Sequence, residues 1–211
     1  MRPRRLTLVV QIAIVCAVLG GLGHPVIAGT ATDQIRAQIE QMYRLVSEAG
    51  SAPDGASPVR KIADQMFDWE AMAEGALGEH WARRSPTERK EFARLFGDVF
   101  ERAYLSKIQL ADADRFVYLG DAPEGDHTPV RTRITTKKGT VIPVSYRVRM
   151  SDEGTWQVFD LDVDGVSLID NYRTQFNSII RRASYAELVN RLKAVRERRQ
   201  GRADPPARAA A

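Results

Sequence analysis

The hydrophobic period of this chain changes twice, from helical to alternating and back, and that pattern limits the folds open to it. In residues 32–49, Ile35, Ile39, Met42 and Val46 recur at helical spacing until a stretch rich in Gly, Ser, Pro and Asp over 50–58 breaks the run. Pro58 suits the first position of a short helix carrying Ile62, Ala63 and Met66 inward. Asp68 can cap another, with Trp69, Met72, Ala73 and Ala76, ended by Gly78. Ser85-Pro86-Thr87-Glu88 is a capping-box pattern, and the helix it opens has one broad stripe of Phe92, Leu95, Phe96, Val99, Phe100, Ala103 and Tyr104.

From Arg115 the period becomes two. Residues 115–119, 129–136, 140–150 and 155–163 read as four strands joined by turn signals, an antiparallel meander. Keeping apolar residues on one face selects the register. A three-residue loop, Lys137-Lys138-Gly139 with Gly139 left-handed, pairs Val130 with Tyr146 and Ile134 with Ile142. A four-residue loop over 151–154 then pairs Tyr146 with Phe159, Val144 with Leu161 and Ile142 with Val163. The opposite face carries Arg131, Arg133, Arg147, Arg149 and Asp160, a solvated surface first and a partner surface second. After Gly165 the helical period returns with Tyr172, Phe176, Ile179 and Ile180. Ser184-Tyr185-Ala186-Glu187 caps a last helix bearing Leu188, Leu192 and Val195. The expected architecture is one α+β domain, with a four-stranded antiparallel curved sheet packed against helices.

The ends have their own character. Arg2, Arg4 and Arg5 precede an uncharged apolar run over 6–22, and Val26-Ile27-Ala28 supplies small cleavage-site residues, so 1–28 reads as a secretory signal peptide. The α+β domain then occupies 29–199. Residues 200–211, with two prolines and no apolar period, read as a disordered tail: a solvated end first, a weak attraction to anionic headgroups second. Cys16 leaves with the leader, so the exported chain carries neither disulfide nor thiolate. Removing the three leader arginines lowers a balance of 31 Lys and Arg against 27 Asp and Glu from +4 to +1, which excludes a strongly basic nucleic-acid binder.

Motifs for chemistry are tested next. Asp160-x-Asp162-x-Asp164-Gly165 begins like a calcium loop, but loop position 12 is Asn171 and the preceding segment alternates as a strand. It reads as a strand entering a turn. His80 and His127 lack paired metal-ligand spacing, and Gly165-Val166-Ser167 has Ile169 where a nucleophile elbow needs its second glycine. No metal, cofactor or catalytic residue is assigned, and the chain is read as no enzyme. What remains is bulky apolar surface, and the residues alone leave a filled core and an apolar pocket both open.

Several segments together resemble the MlaC-type periplasmic phospholipid carriers of the outer-membrane lipid asymmetry (Mla) system, also called the toluene-tolerance family. They are Phe67-Asp68-Trp69-Glu70 with Ala76-Leu77-Gly78 and Trp81, then Ser85 to Arg89 leading to Phe92, Tyr104-Leu105, and Val130-Arg131-Thr132. The most specific is Gly165-Val166-Ser167-Leu168-Ile169 with Tyr172-Arg173-Thr174-Gln175-Phe176. The resemblance spans about 32–195. It implies a fold related to the NTF2-like cone, a pocket for phospholipid acyl chains, a periplasmic location, and two partners: an outer-membrane lipoprotein complex and an inner-membrane ABC transporter complex. The expected lining is Val130, Ile134, Val144, Tyr146, Phe159 and Leu161 from the strands, Val166, Leu168, Tyr172 and Phe176 closing from the helical side, and Phe100 and Tyr104 from the long helix. A carrier of another envelope lipid such as a hopanoid, an NTF2-like enzyme using a buried carboxylate, and an adaptor without a pocket stand as alternatives.

Overall fold

The protein is seen in a computed structural model that describes residues 30–49, 58–101, 103 and 113–203. The expected leader, the break over 50–57 and residues 204–211 lie outside the described residues. Within them, helices α1 (Ala31–Ala49), α2 (Pro58–Met66), α3 (Trp69–Leu77) and α4 (Pro86–Phe100) precede the sheet. Strands β1 (Ala113–Asp121), β2 (Thr128–Thr136), β3 (Val141–Met150), β4 (Trp156–Val163) and β5 (Val166–Ser167) follow. Helices α5 (Leu168–Arg182) and α6 (Tyr185–Ala203) close the order, α6 running past Gln200, where the sequence reading starts the tail.

Side-chain capping sets the helix starts. The Asp68 carboxylate accepts the Ala71 N–H at 2.9 Å and opens α3. At α4, Ser85 accepts the Glu88 N–H while the Glu88 carboxylate accepts the Ser85 N–H, so two otherwise orphaned donors are satisfied reciprocally. Ser184 accepts the Glu187 N–H at the start of α6. The helices then bury their apolar stripes against one another. Phe92, Phe96 and Phe100 of α4 are fully buried, with Phe96 5.1 Å from the Tyr172 ring and Phe92 5.8 Å from Phe176. Helices α3 and α5 cross closely because Gly75 has no side chain: a Cβ there would lie 2.7 Å from Ile169 Cγ2.

The strands form one antiparallel sheet in the order β1-β2-β3-β4-β5. The β2–β3 hairpin has the expected register, Val130 opposite Tyr146 and Ile134 opposite Ile142, with Gly139 at φ 79°. The next hairpin differs. Its loop is the three residues 152–154 rather than four, which moves the register by one, since the Ser151 N–H donates to Thr155 O and their hydroxyls meet at 2.9 Å. A β-bulge then leaves Phe159 unpaired between Val158, opposite Val148, and Asp160, opposite Arg147. The two offsets sum to a shift of two residues, which restores the alternation. Leu161 and Val163 therefore keep the expected face, opposite Tyr146 and Val144, while Phe159 is turned out and Val158 takes its place inside.

There are five strands rather than the four expected. Asp164 and Gly165, at φ 54° and 81°, make the tight left-handed turn of a two-residue hairpin, and the Gly165 N–H donates to the Asp162 carboxylate at 2.8 Å. The run that begins like a calcium loop is this hairpin.

Asp160 departs from the expected solvated surface as well. Only 4 % exposed, it accepts hydrogen bonds from the Ser167 hydroxyl at 2.7 Å, the Ile169 N–H at 3.2 Å and Arg147 Nη1 at 3.3 Å. It joins two strands to the N-terminus of α5, where a carboxylate also complements the helix dipole. Replacing Asp160 by Ala strands these donors, so urea unfolding is expected to show a loss of about 2–4 kcal/mol, whereas Asp162→Ala, in the partly exposed turn, is expected to cost about 1 kcal/mol or less.

Candidate functional site

The pleat sends alternate residues of each strand to one concave face. It carries Phe116 and Tyr118 of β1, Val130, Thr132 and Ile134 of β2, Ile142, Val144, Tyr146 and Val148 of β3, and Val158, Leu161 and Val163 of β4. Helix α1 lies against this sheet, with Tyr43 edge-on to Phe116 at 5.6 Å and Arg36 over the Tyr118 ring at 4.6 Å.

Burial along the face is graded. Val130, Val148 and Val158 are inaccessible to solvent, and Val144 and Tyr146 nearly so. Ile134, Ile142 and Phe116, toward the β2–β3 hairpin, are only partly buried. The face is thus an apolar trough, most deeply buried around Val130, Val148 and Val158, and more accessible at the hairpin end and again at Met150.

The expected lining residues separate into groups. Val130, Ile134, Val144, Tyr146 and Leu161 share this trough. Leu168 is buried at the start of α5, while Phe100, Tyr172 and Phe176 join Phe92 and Phe96 in an aromatic cluster between helices. Tyr104 lies outside the described residues. Phe159 is corrected to the opposite face, where it meets the His127 ring edge-on at 5.9 Å and the Arg149 guanidinium at 5.8 Å. Val166, on the short edge strand β5, pairs with Val163 at the margin of the concave face and is 55 % exposed. The sequence reading misses Phe116, Tyr118 and Ile142. In β1 both alternating sets are apolar, Phe116 and Tyr118 against Val117 and Leu119, so the period alone does not say which points inward. Contact with α1 decides it.

Residues 34–194 match the MlaC protein family. The chain belongs to that family. The solved structure of a phospholipid-binding protein from Ralstonia solanacearum, in complex with a phospholipid, is similar to it with a TM-score of 0.68 and 20 % identity, covering 81 % of this chain and 99 % of that one. At that identity the likeness establishes a shared fold, the α+β class with its curved antiparallel sheet.

The two faces of the sheet in this MlaC-family chain differ in chemistry. The outer face has a polar groove of about 350 Å³ lined by residues including Glu124, His127, Arg131, Arg147 and Asp162. Its charges are largely matched internally: Arg131 pairs with Glu124, Arg147 with Asp160, and His127 Nδ1 lies 3.1 Å from Asp126. The concave face is mainly apolar; its polar positions include Thr132, whose hydroxyl donates to Val144 O at 3.0 Å, the two phenols Tyr118 and Tyr146, Thr128, and at its edge Asp121, which accepts the Thr32 N–H of α1.

Burial pushes the Tyr118 phenol up to about 12 and raises Tyr146 as well, with each other's proximity adding at Tyr146 and the Thr132 hydroxyl acting in the opposite direction there. Tyr185, under Arg84 beside α4, is also pushed up to about 12 by burial. The folded chain therefore retains protons that the unfolded chain releases near pH 10. The stability these phenols contribute is complete below that pH and is lost as the pH rises through the folded values. Urea midpoints are expected to fall between about pH 10 and 12, with part of the tyrosinate absorbance appearing only on unfolding.

Proposed function

We propose that this chain is a periplasmic lipid carrier that shields phospholipid acyl chains in its concave trough and exchanges lipid between an outer-membrane lipoprotein complex and an inner-membrane ABC transporter complex, in the service of outer-membrane lipid asymmetry. The observation that carries the reading is the graded apolar trough, deeply buried at Val148 and Val158 and accessible at Ile134 and Ile142. Membership of the MlaC family and the phospholipid in the Ralstonia solanacearum structure support it. The apolar leader-like run and the small residues at 26–28 support the periplasmic location.

The energetic requirement is simple. Each methylene withheld from water is worth about 0.8 kcal/mol, so a sixteen-carbon chain represents roughly 12 kcal/mol of exposure to avoid. A carrier has to supply burial equivalent to that of the bilayer and no more, which leaves transfer near balance and its direction to the partners. An apolar wall with an opening meets this need. Nucleophile, metal and cofactor have no part in it.

Mass spectrometry of a solvent extract, taken from mature protein purified from the cell envelope without detergent, is expected to find phospholipid at near one mole per mole. Another lipid would keep the carrier and change its cargo. An empty extract that stays empty after incubation with phospholipid vesicles would overturn the reading. Val144→Asp places a charge on the closed wall and is expected to abolish loading. Ile134→Glu, at the partly buried end, is expected to cut loading at least about tenfold with a smaller loss of stability, read by thermal melting alongside lipid content.

A further inference from the structure

The trough holds one polar feature that its apolar character does not explain. Tyr118 stands on β1 directly opposite Thr132 of β2. Helix α1 runs along β1 in the opposite sense: its Thr32 N–H donates to the Asp121 carboxylate, Arg36 covers the Tyr118 ring, and Tyr43 meets Phe116. The Tyr118 phenol is therefore at the seam where α1 meets the sheet. Its hydroxyl oxygen is buried and finds no hydrogen-bond partner among the described residues. Gln38 Oε1, on α1 between the Arg36 and Tyr43 anchor points, is buried without a partner as well.

Buried tyrosine hydroxyls ordinarily find an acceptor, because burial removes water and leaves the donor unpaid. Thr132, directly opposite, turns its hydroxyl to Val144 O and the Tyr146 phenol rather than to Tyr118. Burial also keeps the Tyr118 phenol protonated, and so a donor, across the physiological range. The hydroxyl thus asks for a neutral acceptor oxygen arriving from the trough.

Phospholipids carry such an atom at one level. Acyl chains offer no acceptor, and the phosphate is an anion that burial penalises. The ester carbonyl lies between them, at the boundary of the apolar part, and is a neutral acceptor. Tyr118 occupies a corresponding boundary: the residue is partly buried, its oxygen is sealed, and the exposed Arg36 lies over its ring.

We propose that the Tyr118 hydroxyl donates to an ester carbonyl oxygen of the bound lipid, so that the site selects ester-linked lipids over their ether-linked analogues. This rests on the carrier reading and assigns that site its polar selectivity. Tyr118 holds the lipid at the junction of chain and headgroup, while the trough wall shields the chains.

The full mature chain, stripped of lipid, is incubated with vesicles containing equal amounts of dioleoyl phosphatidylglycerol and its dioleyl ether analogue, and the bound lipids are counted by mass spectrometry. The wild-type chain is expected to hold about three to ten times more ester than ether lipid, the range that one neutral hydrogen bond supplies. Tyr118→Phe keeps the ring and is expected to bring the ratio to about one through a fall in ester loading. A wild-type ratio near one overturns the inference while leaving the carrier intact, whether or not the variant folds. A folded Tyr118→Phe that keeps the wild-type ratio overturns it too, because the selectivity then comes from elsewhere in the site. Wild-type protein that takes up neither lipid overturns the carrier reading and this inference with it.

Discussion

The buried carboxylate of Asp160 is the joint on which the two halves of this fold turn. It receives the Ser167 hydroxyl, the Ile169 N–H and Arg147, and so ties β3 and β4 to the first turn of α5. Ser167 completes the junction by accepting the Asp170 N–H while it donates to Asp160. A carboxylate this deep is stable only when its lone pairs are filled, and a helix N-terminus is where unfilled donors are available. The direction in which α5 leaves the sheet follows. That direction carries Tyr172 and Phe176 to Phe92 and Phe96, and lets Ile169 enter the space that Gly75 leaves open on α3.

With the helical layer anchored at β4, the rest of the concave face is shaped by strand geometry. The bulge at Phe159 keeps Leu161 and Val163 in the trough and turns one aromatic ring out to His127 and Arg149. The outcome is a sheet with two chemistries, an outer surface of matched charges and an inner surface that is mainly apolar, with Thr132, Tyr118 and Tyr146 among its few polar positions. An open apolar wall of this kind would ordinarily be filled by core side chains. Instead its burial falls toward the β2–β3 hairpin, where Ile134, Ile142 and Phe116 are only partly covered.

Much of this was readable from local signals. Asp68, Ser85 with Glu88, and Ser184 act as caps because a hydroxyl or carboxylate next to a new helix finds unpaired N–H groups within reach, whatever the remainder of the chain does. The β2–β3 register followed from one left-handed glycine and the demand that apolar residues share a face. The short strand β5 was signalled too, by Asp164-Gly165 between two valines, although its likeness to the start of a metal loop hides it. The candidate site was legible in part. Val130, Ile134, Val144, Tyr146 and Leu161 come from alternation, whereas Phe159 is placed by alternation and is found on the other face; Val166 comes from the resemblance and sits at the margin, opposite Val163.

What the sequence alone determined is therefore what depends on neighbours a few residues apart: caps, turns, periods and the class of fold. The tertiary structure decided the rest. A bulge changes which residue faces inward without changing the pattern on either side of it, so Phe159 could not be oriented from its own segment. The inward set of β1 was ambiguous until α1 lay across it. Asp160 reads as a surface charge until three donors from distant backbone and side chains converge on it. Each of these outcomes depends on which groups lose water together, and that is a property of the packed molecule rather than of any one stretch of chain.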